Sequence, residues 1–327
     1  MRKRILFTLL LICIHCIVFA QNKIRLDWSA GVKAISPEIF AEGIISTNLN
    51  ERDMAISPDG RELYFTLIGP QNIFSTILQM TRDERGNWSG PRTASFSGKY
   101  GDLEPAFTSD GKRLYFVSNR PLKGGGEKKD YDIWYVDKVN GSWGEPVNIG
   151  LPVNTPANEF YPSVGRSGNL YFTAEYEKGK GKEDIYISKW ENGKYSDPQS
   201  LDSAVNSDTY EFNAFVSPDE DLILFSSYGR KDDHGHGDLY ISLKDRNGNW
   251  LPAKNLAILN SNRLDYCPFV SFDKKVLFFT SEKNNLSNTY TDKAISYEEL
   301  QKLYNGVMNC GGNIYMISME AVLNSIK

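Results

Sequence analysis

The chain has 327 residues, with 41 acidic and 37 basic side chains and a formal net charge of −4. That mild acidity excludes nucleic acid and anionic membrane as partners recognised by charge alone, and four cysteines are too few for a disulfide framework. A chain of this length buries a large core without such staples.

The N-terminus reads MRKRILFTLLLICIHCIVFAQN: three basic residues, a mostly apolar run, and small Ala20 before polar Gln21. This predicts a secretory signal peptide over residues 1–20, cut after Ala20. The apolar run is short for a bilayer span, and no small residue precedes Cys13 or Cys16 as a lipid anchor requires. The expected product is exported, periplasmic or secreted, without a membrane span after cleavage. Loss of Arg2, Lys3 and Arg4 takes the net charge from −4 to −7, and only Cys267 and Cys310 remain, either paired or as free thiols.

Residues 21–33 form a lead-in, and 34–327 read as one domain built from a repeated unit. The strand-like triplets LYF (63–65), LYF (114–116), LYF (170–172), ILF (223–225) and LFF (277–279) bring the other features into register. Each is preceded by a turn (SPDG, TSDG, GRSG, SPDE, SFDK) and followed by NIF, DIW, DIY, DLY or NIY, which carry Asn72, Asp132, Asp184, Asp238 and Asn313. An aromatic residue then precedes Pro91, Pro146, Pro198 and Pro252. Before every turn lies an acid: Glu51, Asp102, Glu159, Glu211 and Asp265, separated by 51, 57, 52 and 54 residues. Each interval holds four short strands with their turns, one propeller blade.

The fifth copy lacks its last strand, and the segment AISPEIFAEG at 34–43 has the proline and apolar pair of one. The reading is an all-β, five-bladed β-propeller with four-stranded blades, the last closed by the N-terminal strand so that no edge stays open. Blade five also carries an insertion at 281–312. Within it, Ser296, Glu298 and Glu299 followed by Leu300, Leu303 and Val307 predict a short capped helix.

The stretches SPDGRELYF, EPAFTSDGKRLYFVSNRP and DIWYV resemble the WD-like repeats of TolB-type propellers over roughly residues 34–320. The resemblance implies fold more than function. Similar propellers serve as periplasmic scaffolds, including modules of Bacteroidetes envelope and secretion proteins, and as folds of some carbohydrate-active enzymes. Copies three and five depart from the pattern in their turns, GRSG and SFDK.

Three groups are candidate sites. The acids Glu51, Asp102, Glu159, Glu211 and Asp265 enter the channel near one mouth if the first strand lines it, and there they can bind a cation or a basic partner. Alternatively they serve the repeat itself, accepting hydrogen bonds or pairing with Arg120 and Arg230. The aromatics Phe160, Tyr161, Tyr210, Phe212 and Tyr266 beside them can stack on sugars, anchor a peptide, or simply pack between blades. In the loop KDDHGHGD, Asp232, Asp233, His234 and His236 are a weak divalent-cation candidate, although the counterpart loops lack histidine. No catalytic motif with a nucleophile elbow, zinc pair or phosphate loop is present, and no cofactor is expected beyond that cation. The leading functional expectation is a non-enzymatic scaffold for an envelope or secreted protein or peptide. A carbohydrate-binding or carbohydrate-cleaving propeller is the alternative.

Overall fold

The computed structural model describes residues 23–28, 30–122, 126–127, 129–285 and 294–327; the expected signal peptide lies outside them. Five antiparallel sheets follow one another along the chain. Blade one comprises Asn50–Ile56, Glu62–Ile68, Ser75–Thr81 and Arg92–Thr93; blade two Asp102–Phe107, Arg113–Ser118, Asp132–Val139 and Val147–Asn148. Blade three comprises Glu159–Val164, Leu170–Ala174, Asp184–Ser188 and Gln199–Ser200; blade four Tyr210–Val216, Leu222–Tyr228, Asp238–Leu243 and Lys254–Asn255. Blade five takes Asp265–Val270, Val276–Ser281 and Asn313–Ser318, and its fourth strand is Glu38–Ile39, paired through Glu38 to Met316 and Ile39 to Tyr315. The chain is a five-bladed β-propeller closed by its N-terminal strand.

Apolar faces of neighbouring sheets pack on each other. Tyr64, Ile77, Phe107, Leu114, Phe116 and Trp134 fill the space between blades one and two, and Tyr171, Ile185, Phe225 and Tyr240 that between three and four. Adjacent blades are also tied by a side chain five residues ahead of each repeated acid. Asn154, Asn206 and Asn260 each grip both backbone groups of one third-strand residue in the preceding blade, at Ile133, Ile185 and Leu239. Ser46 does the same at Ile314, which joins the two ends of the protein. These pairings satisfy buried backbone N–H groups and give each carbonyl a second donor.

The turn between first and second strands depends on a hydroxyl. Ser57, Thr108, Ser217 and Ser271 each accept from the backbone N–H five residues on. SFDK therefore keeps the turn of its counterparts, with Lys274 in the left-handed conformation that Gly60 and Gly111 hold in blades one and two and Glu220 in blade four. Blade three differs: Gly165 replaces the hydroxyl, and a Cβ there would fall 2.3 Å from Glu220 Oε1, which belongs to the next blade.

Two sequence expectations need correction. Blade one's counterpart of Asp132 is Ser75, opposite Ile68 as Asp132 is opposite Ser118; Asn72 lies in the short turn Pro70–Asn72 ahead of it. The insertion helix α1 spans Tyr297–Tyr304, capped by Ser296 and Glu299 as expected, but it stops before Val307. A second helix α2, Met319–Ser325, is one the strand-dominated repeat gave no sign of; Met319 and Val322 bury it against the blade-five core. Cys267 is buried and Cys310 exposed, both as free thiols. No helix among the described residues is long and apolar enough to cross a membrane.

Phe40, next to the closing strand, is 2% exposed, donates its N–H to Ile314 O, and meets the Phe278 ring edge-on at 5.1 Å. Phe40→Ala is expected to cost about 3–5 kcal/mol in urea unfolding. A loss below about 1 kcal/mol would mean that the ring does not depend on this closure.

Candidate functional site

The five repeated acids lie at the starts of the innermost strands, and all are at most 2% exposed. Each turns back on the approach to its own blade. Glu51 accepts from Thr47 N and Oγ1, Glu159 from Thr155 N and Oγ1, Glu211 from Ser207 N and Oγ, and Asp265 from Ser261 N. Asp102 takes Ser97 Oγ at 2.9 Å. In blades two and four a guanidinium joins them: Arg120 to Asp102 at 2.6 Å and Arg230 to Glu211 at 2.8 Å. These carboxylates are held inside the blades by short loops and do not project into the channel. Burial pushes Glu159 up to about 7 and Asp265 up to about 6 against the pull of those hydrogen bonds.

The channel belongs instead to the residue two positions further on. In every blade the pairing of first and second strands shifts register just after the acid, and at the shift stands a non-glycine residue with φ between 50° and 59°: Asp53, Glu104, Tyr161, Asn213 and Cys267. Such a bulge swings one side chain away from the alternation of the strand. Here it sends all five towards a common axis. Glu104 of blade two accepts from Arg52 of blade one at 2.9 Å, from the backbone N–H of Tyr161 in blade three at 2.6 Å and from Asn213 of blade four at 3.3 Å. Asn213 faces Cys267 of blade five at 3.4 Å, and the Tyr161 hydroxyl donates to Pro268 O at 3.0 Å.

Arg52 is the hub. It pairs with Asp53 at 2.6 Å as well as with Glu104, and its guanidinium lies 4.9 Å over the Tyr266 ring. Its own charge is secure, since the surrounding negative groups outweigh its burial. Burial pushes Glu104 up to about 8 despite Arg52, and pushes the Cys267 thiol well up. Near neutral pH, then, Glu104 is largely protonated, which removes one negative charge from the two carboxylates that share one guanidinium. The cluster closes the channel with a buried polar plug.

Of the aromatic candidates, Tyr161 and Tyr266 are buried around this plug with Cys267, and Phe160 and Phe212 pack half-buried against them. Phe160 also tilts against Tyr131 at 5.4 Å. Tyr210 stands apart, paired with Tyr228 at 5.9 Å. At the mouth, Glu183 is pushed up to about 7 by burial and by the charge of Glu175. In the histidine loop, Asp232 accepts from Tyr240, Asp233 from Gly229 N and Gly235 N, and His234 bonds Asp238. These groups are turned to separate partners, and among the described residues no three His, Cys, Asp or Glu side chains gather as a metal site. The insertion leaves blade five at Ser281 and returns at Asn313, the pair opposite Asp265, so it rises from the channel-mouth face. Among the described residues nothing buries helix α1: Tyr297 and Tyr304 are 69% and 73% exposed.

No protein-family model matches the chain, and no curated protein sequence matches it. Solved structures do match. A glycoside hydrolase aligns at 10% identity over 89% of this chain and 94% of its own, TM-score 0.53. The protein of an RGII complex aligns at 9% identity over 89% of this chain and 93% of its own, TM-score 0.52. TolB from Acinetobacter baumannii aligns at 13% identity over 72% of this chain, TM-score 0.46; the chain spans half of that TolB's length. The likeness is one of fold.

The plug generates two expectations. Arg52→Met removes the cation that Asp53 and Glu104 share and is expected to cost about 3–5 kcal/mol at pH 9, where Glu104 is ionised, and less at pH 7, where it is largely protonated. Equal losses at both pH values in urea titrations would contradict the ion-pair account. Glu159, Glu183 and Asp265 have folded values above their ordinary 4.5, 4.5 and 3.8, so the unfolded chain ionises first. Stability is therefore full below the ordinary values and declines as pH rises from about 4 through the folded values of about 6 to 7. Tm should fall from pH 5 to pH 8, and Glu183→Gln should raise Tm far more at pH 8 than at pH 5. A Tm that climbs across this range would overturn the assignment.

Proposed function

We propose that this protein is an exported, non-enzymatic propeller that docks a protein or peptide partner on its channel-mouth face. The observation that carries the reading is the concentration of exposed apolar side chains on connections at that face. Tyr297, Leu300 and Tyr304 lie on α1, and Ile73 and Phe74 on the corresponding connection of blade one, the neighbouring blade. Large apolar groups left in water over several adjacent loops fit a surface that a partner covers. Tyrosines at positions i and i+7 of a short capped helix, with leucine at i+3, make a stiff anchor of the kind that dominates interface energy. Export is supported by the sequence of residues 1–20.

The alternative, cleavage of a polysaccharide in the channel, draws less support. Glycoside hydrolysis needs two carboxylates with a sugar between them. The two nearest the axis, Asp53 and Glu104, are at most 3% exposed and both engage Arg52. A sugar would have to displace that guanidinium and leave its charge unpaired.

The test is a tagged protein carrying Tyr297→Ala, Leu300→Ala and Tyr304→Ala, compared with the unaltered protein after cross-linking in native cells. The triple variant should keep Tm within about 2 °C, since these side chains bury little. A stoichiometric envelope protein recovered with the parent and lost from the variant is the expected result. Its retention at equal yield would sink the reading.

A further inference from the structure

On the face opposite the channel mouth, blades two and three part to form a crevice of about 510 Å³. It lies between the turn at 108–113 of blade two and the turn at 165–168 of blade three, under the blade-three hairpin in which Trp190–Glu191 pairs with Lys194–Tyr195. We propose that this crevice is a binding site for a neutral saccharide, with Trp190 as its stacking platform. This inference rests on a different face from the partner-docking reading and stands without it.

Trp190 is 43% exposed, whereas Trp88 and Trp250, at the corresponding connections of blades one and four, are buried. Blade three puts Tyr195 in their place and adds Trp190 outside it, edge-on to the Tyr195 ring at 4.8 Å. The platform is fixed from below as well. Gly168 has φ +92°, and a Cβ there would sit 3.1 Å from three Trp190 side-chain atoms, so glycine is what allows the indole to lie against the turn. The backbone N–H of Trp190 donates to Asn169 Oδ1 at 3.1 Å. An exposed indole held this rigidly loses little freedom when a flat ligand covers it.

Facing it across the crevice is a planar polar pair. Arg113 donates to both oxygens of Asp137, at 2.6 and 2.9 Å, and its guanidinium stacks 3.8 Å over Tyr135. The back is bridged by Tyr115 and Tyr195, hydroxyl to hydroxyl at 3.0 Å. Lys112 stands exposed at the rim near Asp110. An aromatic face opposite fixed donors and acceptors suits a sugar, whose ring carbons stack while its hydroxyls bond at the edge. An anion is a poorer match. Arg113 is already matched by Asp137, and Arg166, the other guanidinium of the crevice, pairs with Asp219. Matched charges leave hydrogen-bonding capacity without a net field, which favours a neutral polyhydroxylated ligand.

The experiment is fluorine NMR of the full protein labelled with 5-fluorotryptophan, the Trp190 signal being assigned by its loss in Trp190→Phe. Neutral hexose and pentose oligosaccharides and oligogalacturonate are titrated in turn, with calorimetry for affinity. The expected result is a saturable shift of the Trp190 signal by at least one neutral oligosaccharide. Its Kd should rise about tenfold or more in Trp190→Ala at unchanged Tm, and stay within about threefold in Trp190→Phe, which keeps a stacking face. No shift of that signal at millimolar concentrations of every neutral oligosaccharide would overturn the proposal. So would binding only by oligogalacturonate, affinity indifferent to Trp190→Ala, or a shift that follows protein concentration instead of saccharide, which would mark the indole as a self-association contact.

Discussion

Five innermost strands converge on one axis, and the space where they meet holds only a few side chains. The chain answers this crowding the same way in each blade, with a single residue in the left-handed region and a register shift beside it. For a tyrosine or a glutamate that conformation is unfavourable, and five instances in one ring persist only because contacts across the axis hold them there. Arg52 ties blade one to blade two, Glu104 ties two to three and four, and Asn213 ties four to five. The bulge decides what faces the axis and thereby returns the repeated acids to their own blades.

That division of labour explains why the most conspicuous repeated feature is a poor guide to function. The acids cap the loops that lead into each blade, and the asparagine or serine five residues earlier clamps the preceding blade. These groups build the ring. What distinguishes one blade from another lies elsewhere: Arg52 in blade one, the Gly165 and Trp190 departures of blade three, and the α1 insertion of blade five. Partner recognition at the mouth and saccharide recognition on the far face would both use such departures from the repeat, because a feature present in every blade cannot single out one direction around the axis.

Much of the site is illegible in the sequence. The acids, their spacing, and the aromatics at 160, 161, 212 and 266 are visible there, and those four aromatics do gather near the axis. The residue two after each acid escapes notice because its type changes from Asp to Glu, Tyr, Asn and Cys, so no repeated letter marks it. Proline after three of the five, at 105, 162 and 268, is the one local hint of an irregular strand. The partners of Glu104 lie 52, 57 and 109 residues away, beyond any local pattern.

The sequence by itself determined most of the strands, the number of blades and the segment that completes the fifth, because each is marked by local periodicity and turn chemistry. It also carried the capping box of α1, a contact over three residues. The tertiary structure alone decided which side chains meet on the axis, where Glu104 finds its charge partner, and that blades two and three leave a crevice beside an exposed indole. Those outcomes follow from backbone bulges and from the fit of one blade on the next, and both are set by packing between segments far apart in the chain.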